Sequence, residues 1–466
     1  MPDAGPILCA ALALVGAALL LTSRRRLLLA WAVLVLVATL GGPTSRLVRG
    51  GQVREYTFAH YHLGARWFAE LGYTDLYGQT WAAGRWDPSW GIDRVRDLET
   101  YEHVPAAAER SGAWTDATWD AFTADVAALQ PRLPPDVWRS WFRDKGYNAT
   151  PAWTATLGRL VGARPASGAW FAFLASLDVL LLLVALGVAA RTFGVLSASL
   201  AAAWIALFLG SANNLIAGPL QVDWLAAAVL ALCAVHRERW ATGGALLGWA
   251  ALSRVFPLLL LAGPLLLLRA PRWRRFVGAF AAVIVAGVLI GSTTPRGPGA
   301  WGEFAQNIVV HSDRHHLGDQ RVGLRPALAW SPVGERTDVE ARQARADSWP
   351  GRAPWAALLA VLLGVGVLGA LRRAVPGRSS VAVLLLGLPL VFVAVTLSRY
   401  YALLPGAALL LLGTDPRVAR LGSALCALAG LAWLAVAAGW PDATVWLVVN
   451  LGFGALCVAV LIPPDR

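Results

Sequence analysis

Lysine is almost absent from this chain. Of its 40 basic residues only Lys145 is lysine, leaving 39 arginines; with abundant Ala, Gly and Leu, this bias points to a GC-rich bacterial genome rather than to a physical need. Charge of either sign is scarce too, 15% of residues against 57% hydrophobic, with a mean hydropathy of +0.56. That balance excludes an ordinary soluble domain and leaves a polytopic membrane protein. Cysteine is sparse as well: Cys9, Cys233, Cys426 and Cys457 lie far apart in apolar stretches, without ligand-like spacing, which argues against a zinc site or a disulfide framework and for core positions.

What is present is a series of apolar runs. A spanning helix needs roughly 20 apolar residues, fewer where it is packed in protein. Counting runs punctuated by charge gives about 13 spans, near 5–22, 27–42, 166–190, 195–212, 217–235, 241–253, 256–268, 276–291, 353–371, 380–397, 401–413, 420–438 and 443–462. The fold class expected is therefore all-α, a polytopic transmembrane helical bundle. Arg24 to Arg26, Arg191, Arg237 with Arg239, Arg269 to Arg275, Arg372 with Arg373, and Arg417 with Arg420 fall at every second connection. By the positive-inside rule this places the N-terminus outside and the C-terminus in the cytoplasm. The charges of the first helix follow its apolar run instead of preceding it, so it reads as an uncleaved helix and not a signal peptide.

Five regions follow: two N-terminal helices (1–43), an extracytoplasmic loop subdomain (44–165), a transmembrane core (166–291), a second extracytoplasmic loop (292–352) and C-terminal helices (353–466). Of the 28 acidic residues, 14 lie in 44–165 and 7 in 292–352, so carboxylates gather on one face. The formal charge of +12 accordingly reflects topology-setting arginines that meet lipid headgroups, and no nucleic-acid partner is expected. The first loop carries nine tryptophans, a composition unlike a disordered linker. It reads as helical and interface-lying, where amphipathic rings are favoured.

Candidate chemistry begins where the chain leaves its second apolar run. Glu55 is a possible general base, with Arg54 or His60 tuning it, although Glu55 beside Arg54 also reads as a simple surface ion pair. His60 and His62, two apart, face opposite sides of a helix and make a poor metal pair. The second loop supplies Asn307, His311, Asp313, Arg314, His315, His316, Asp319 and Arg321, a group of donors and cations suited to a phosphate. His311 and His315 also have the i, i+4 spacing of a zinc pair, but without an obvious third ligand. Asp178 and Asp223 are ionisable groups at membrane depth, and Arg254 and Arg399 sit at outer turns where they could complete a cationic mouth. No metal or other cofactor is called for, and a divalent cation stays open.

The long outer loop with Glu55 near its start, Gly-Tyr-Thr-Asp-Leu-Tyr at 72–77, Gln221-Val222-Asp223-Trp224 opening a helix, and the Gly243–Gly248 stretch leading to Ser253-Arg254-Val255-Phe256-Pro257 together resemble the GT-C superfamily of membrane glycosyltransferases. The likeness is to its bacterial polyprenyl-phosphate-sugar-dependent, mannosyltransferase-like branch. It implies sugar transfer from a polyprenyl-phosphate donor to a lipid, glycan or protein hydroxyl outside the cytoplasm of a bacterial inner membrane. On that resemblance Glu55 would be the base, Asp75 its substitute, and Arg254 a phosphate ligand. This chain differs from the family pattern in an extra N-terminal helix and in glutamate where aspartate is usual. Two other classes remain: a glycan polymerase or ligase of the O-antigen type, using a diphosphate-linked donor with its essential residues in 292–352, and a transporter.

Overall fold

The computed structural model describes residues 4–22, 24–50, 55–107, 109–208, 218–315, 317–318, 320–330, 338–401, 403–412 and 416–462, without the side chains of 4, 40–50, 313–315, 338–343, 400 and 416. Among the described residues the chain is helical apart from two short antiparallel ladders, Arg94–Arg96 with His103–Pro105 and Arg321–Val322 with Leu397–Ser398. Among the described residues six helices are long and apolar enough to cross a membrane: Gly5–Thr22, Gly168–Phe193, Pro271–Gly291, Ala344–Ala374, Arg417–Ala437 and Asp442–Leu461.

Among the described residues, helix length and composition support these six crossings beside shorter apolar helices such as Val195–Leu207, Asp223–His236 and Phe256–Leu266, and do not fix a count of about 13. Proline shapes several of the short segments. Pro257, Pro389 and Pro405 each stand in the first turn of a short segment, Phe256–Leu261, Leu388–Ala394 and Leu404–Leu411. A ring without an N–H is best tolerated in that turn, and at Pro389 the apolar run 380–397 is divided into Ser380–Leu385 and Leu388–Ala394. Conversely, the helices Arg25–Gly50 and Asp338–Ala374 run through the expected region boundaries at 43 and 352. Loss of apolar character does not end a helix whose backbone bonds continue.

The chain builds two hydrophobic cores. One joins the apolar helices and buries Trp204, Trp224 and Trp273. The other lies within 58–175 and takes in Ala300 and Phe304 of the Gly299–His315 helix. Here the interface-lying expectation for the tryptophans is corrected: Trp67, Trp114, Trp138, Trp141 and Trp153 are buried inside the subdomain. A fully buried aromatic ring removes about 150–250 Å² from water, on the order of 4–6 kcal/mol of transfer free energy. A segment this rich in them forms a core of its own.

Two buried carboxylates tie the parts together. Asp178, inside the Gly168–Phe193 helix, accepts hydrogen bonds from the backbone N–H groups of Gln221 (2.7 Å) and Val222 (3.1 Å), fixing the turn before the Asp223–His236 helix. Asp223 accepts from Ser253 Oγ (2.8 Å) and Trp249 Nε1 (3.0 Å), holding the end of the Trp240–Ser253 helix. That helix lies against Pro271–Gly291 so closely that a Cβ on Gly244 would fall 2.0 Å from the Phe276 carbonyl oxygen. Glycine there permits backbone contact and sets where the helix end at Ser253 and Arg254 emerges.

Candidate active site

That helix end opens into a cavity of about 360 Å³ between the two cores, a size usual for small-molecule sites. The Glu55–Arg66 helix contributes Tyr56, Thr57, His60 and Tyr61 to its wall. At about 100° per residue these four share one face, and Glu55 points roughly the opposite way. Glu55 does not line the cavity: its Oε2 lies 3.4 Å from Arg132 Nε, and its side chain is 12% exposed. Burial raises the Glu55 carboxyl above the usual range, and Arg132 pulls it back.

Among the described residues the carboxylate on the cavity wall is instead Asp144, in a turn with Lys145 and Gly146. This turn is anchored from behind. The Gly146 N–H donates to the Tyr77 hydroxyl (2.7 Å), which meets His60 Nε2 at 2.8 Å, while His60 Nδ1 faces the Tyr56 carbonyl at 3.0 Å. A carbonyl only accepts, so Nδ1 carries the proton and Nε2 accepts from Tyr77. Burial keeps His60 neutral, lowering its pKa, with Asp144 acting in the other direction.

On the far wall His311 meets the Tyr101 hydroxyl at 2.9 Å. Tyr101 reaches it from a turn in which its own backbone adopts φ +64°, a conformation uncommon for a bulky residue. The Tyr101 N–H donates to the Asp97 carbonyl (2.8 Å) and its carbonyl accepts from Arg96 Nη1 (2.7 Å), which hold the turn closed. Burial, then the charges of Lys145, Arg321 and Arg96, push His311 well below its ordinary pKa, so it presents a neutral imidazole.

Four cations line the cavity, Lys145, Arg254, Arg321 and Arg399. Arg254 is 8% exposed, donates from Nη1 to the Ser253 carbonyl (2.8 Å), and lies between two rings, 5.8 Å from the centre of Tyr61 and 6.0 Å from that of Tyr401. Arg321 and Arg399 are brought together by the small ladder pairing Arg321 with Ser398, and the Arg399 N–H donates to the Gln320 carbonyl (3.2 Å). Thr150 spans the two cores: it caps the helix Pro151–Trp153 and its hydroxyl donates to the Leu252 carbonyl. Gln221 Oε1 is buried in the cavity wall with no donor among the described residues.

Of the residues singled out from sequence, His60, Arg254, His311, Arg321 and Arg399 thus converge on one cavity. Glu55, Asp75, His62 and Asp223 do not line it. Asp75 stands just before the Leu76–Ala83 helix, and Asp223 lies one layer behind Ser253. His62 faces the subdomain core, its Nδ1 3.2 Å from the Val161 carbonyl and its Nε2 3.9 Å from Asp125, with its pKa lowered to about 4 chiefly by burial. Arg54, His316 and Asp319 lie outside the described residues, as do the side chains of Asp313, Arg314 and His315. Asn307 is buried, its Nδ2 3.4 Å from the Tyr147 carbonyl. Among the described residues no three His, Cys, Asp or Glu side chains gather as a metal site.

Sequence reading missed Asp144 and Lys145, whereas Arg321, named there in the second loop, does join Arg254 and Arg399. The one usable signal was that the sole lysine of the chain stands beside an aspartate.

A comparison with protein families matches residues 151–398 to Glycosyltransferase family 87. The match holds Arg254, His311, Arg321 and Ser398, and begins just after the Asp144 turn. Neither a curated protein nor a solved structure matches the chain. A fold with six candidate membrane-spanning helices and a polar cavity between its two cores fits that family's chemistry. The match covers more than half of the 466 residues, and the chain belongs to glycosyltransferase family 87, an enzyme of the GT-C type that transfers a sugar at a membrane.

Proposed function

We propose that the cavity between the two cores transfers one sugar from a polyprenyl monophosphate to a hydroxyl of a lipid, glycan or protein acceptor, on the extracytoplasmic side of a bacterial inner membrane. The observation that carries this reading is the charge pattern of the cavity: among the described residues, four cations and the imidazoles of His60 and His311 stand around the carboxylate of Asp144. Phosphate esters are held by such clusters, arginine especially, because its planar fork matches two phosphate oxygens. Arg254, Arg321 and Arg399 are the ligands for the donor phosphate. Tyr61 and Tyr56 offer ring surface to a sugar, and the buried Gln221 Oε1 an acceptor for a sugar hydroxyl.

In the step that follows, the acceptor oxygen attacks the anomeric carbon as the bond from that carbon to the phosphate oxygen breaks. The electron pair leaves with the phosphate, and the arginines stabilise the charge growing there. Asp144 takes the proton from the acceptor hydroxyl. A single displacement inverts the anomeric configuration. Asp144 replaces Glu55 in this role because Glu55 turns toward Arg132 and away from the cavity; Glu55 and Asp223 become positioning residues, for the entry helix and for Arg254.

The test is transfer by the purified full-length protein from a radiolabelled polyprenyl-phosphate sugar, with Asp144→Asn and Glu55→Gln compared side by side. Loss of transfer in Asp144→Asn with retention in Glu55→Gln supports the assignment; the reverse pattern returns the base to Glu55.

A further inference from the structure

A second cavity, of about 570 Å³, opens among the apolar helices. Small residues leave the space: Ala408, Ala424, Gly452, Ala455 and Ala459 form much of its wall. Three arginines, Arg378, Arg417 and Arg420, also line it. Arg378 donates to the Ile462 carbonyl, and Arg417 Nη1 donates to the same oxygen at 3.3 Å, so both are held at the C-terminal end of the Asp442–Leu461 helix. A smaller apolar cavity adjoins the first, sharing Ala408, Leu421, Leu456 and Val460.

The position of this cavity separates it from the sugar-transfer site. The Asp442–Leu461 helix has 20 residues, which at 1.5 Å each span about 30 Å, the thickness of a bilayer's hydrocarbon. At its first residue Asp442 Oδ2 accepts from Gln320 Nε2 (2.7 Å), and Gln320 lines the cationic cavity. At its other end Ile462 lines the second one. The two cavities therefore lie at opposite ends of this candidate span.

We propose that the second cavity binds an anionic phospholipid of the leaflet opposite the transfer site, its phosphate against Arg417 and Arg420 and an acyl chain among the small residues. Charge complementarity selects this occupant: apolar walls accept a chain, and basic pockets between spanning helices attract anionic headgroups. A zwitterionic lipid would gain the wall contacts without net attraction to three arginines. The smaller adjoining cavity extends the chain path toward Phe453.

The experiment is native mass spectrometry of the full-length protein in detergent with phosphatidylglycerol, phosphatidylcholine or inorganic phosphate. Wild type should retain phosphatidylglycerol about tenfold or more over phosphatidylcholine, the scale that two arginines exert on an anionic headgroup. The double variant R417Q/R420Q should erase that preference. Ala455→Trp, which fills the space and leaves every charge in place, should lose retention of the lipid altogether; because it touches no arginine, it carries the test if the double variant does not fold. Equal retention of the two lipids, no lipid retained by wild type, retention unchanged in both variants, or displacement of the lipid by millimolar inorganic phosphate would each overturn the proposal.

Discussion

His60 Nε2 and the Tyr77 hydroxyl meet at 2.8 Å inside the first-loop subdomain, and the same hydroxyl accepts the Gly146 N–H at 2.7 Å. One phenol oxygen thus links the cavity helix to the turn that carries Asp144 and Lys145. Tyr77 and His60 are both buried, so losing the hydroxyl leaves His60 Nε2 without its donor. Tyr77→Phe should cost about 1–3 kcal/mol of stability, the price of stranding buried polar groups. It should also lower kcat more than it raises the donor KM, because the turn with the base loosens while the arginines stay. Thermal melts and steady-state kinetics check both parts.

Behind Arg254 the Ser253 hydroxyl donates to Asp223 at 2.8 Å. Ser253→Ala leaves that carboxylate oxygen buried without its donor, at a cost of about 1–3 kcal/mol. The helix end then loses its tether, and we expect the donor KM to rise severalfold with a smaller change in kcat. Titration of transfer rate against polyprenyl-phosphate sugar measures the split.

Gly64 packs against Tyr147 so tightly that a Cβ would lie 2.4 Å from the ring. The ring is itself fixed, its hydroxyl 2.7 Å from Thr154 Oγ1 and its plane stacked on Tyr73. Gly64→Ala should therefore destabilise by about 1–3 kcal/mol, as overpacked cores do. An unchanged melting temperature would show that the aromatic cluster yields more readily than its contacts imply.

His62 should make the fold acid-sensitive. Its pKa is lowered from the ordinary value of 6.5 to about 4, so between those values the unfolded chain binds a proton that the folded one does not. Stability then falls as the pH drops below 6.5, with each unit of lowering worth about 1.4 kcal/mol. His60 and His311, also lowered by burial, act in the same direction. The melting temperature should decline from pH 6.5 to pH 4, and His62→Gln should flatten part of that slope.

Much of this architecture could be read from sequence because apolar content and proline act locally. The Ser253-Arg254-Val255-Phe256-Pro257 break is visible in one dimension, and the structure sets Arg254 on the cavity wall. His311 and Arg399 were legible for a similar reason: each is a polar residue at the edge of an apolar run. That Glu55 lies off the cavity wall could not be read this way, because its place near the membrane is a one-dimensional property, whereas the face it presents depends on helix phase, and Tyr56, Thr57, His60 and Tyr61 take the cavity face. Asp144 was hidden for the opposite reason. It sits in an irregular turn without periodicity, more than a hundred residues from Arg254, and only the Tyr77 anchor and the packing of two cores bring them to one wall. The number of crossings is less legible, because short proline-started segments such as Phe256–Leu261 and Leu404–Leu411 stand among the longer helices.

The role of Asp144 as the base that accepts the acceptor proton is tested most directly by single-turnover transfer from a polyprenyl-phosphate sugar by Asp144→Asn, with donor binding measured on the same sample. Transfer should fall by about 100-fold or more, the usual contribution of a positioned general base, while donor binding stays within a few-fold of wild type and Glu55→Gln remains active. Transfer at the wild-type rate in Asp144→Asn, with loss of transfer in Glu55→Gln, would contradict it.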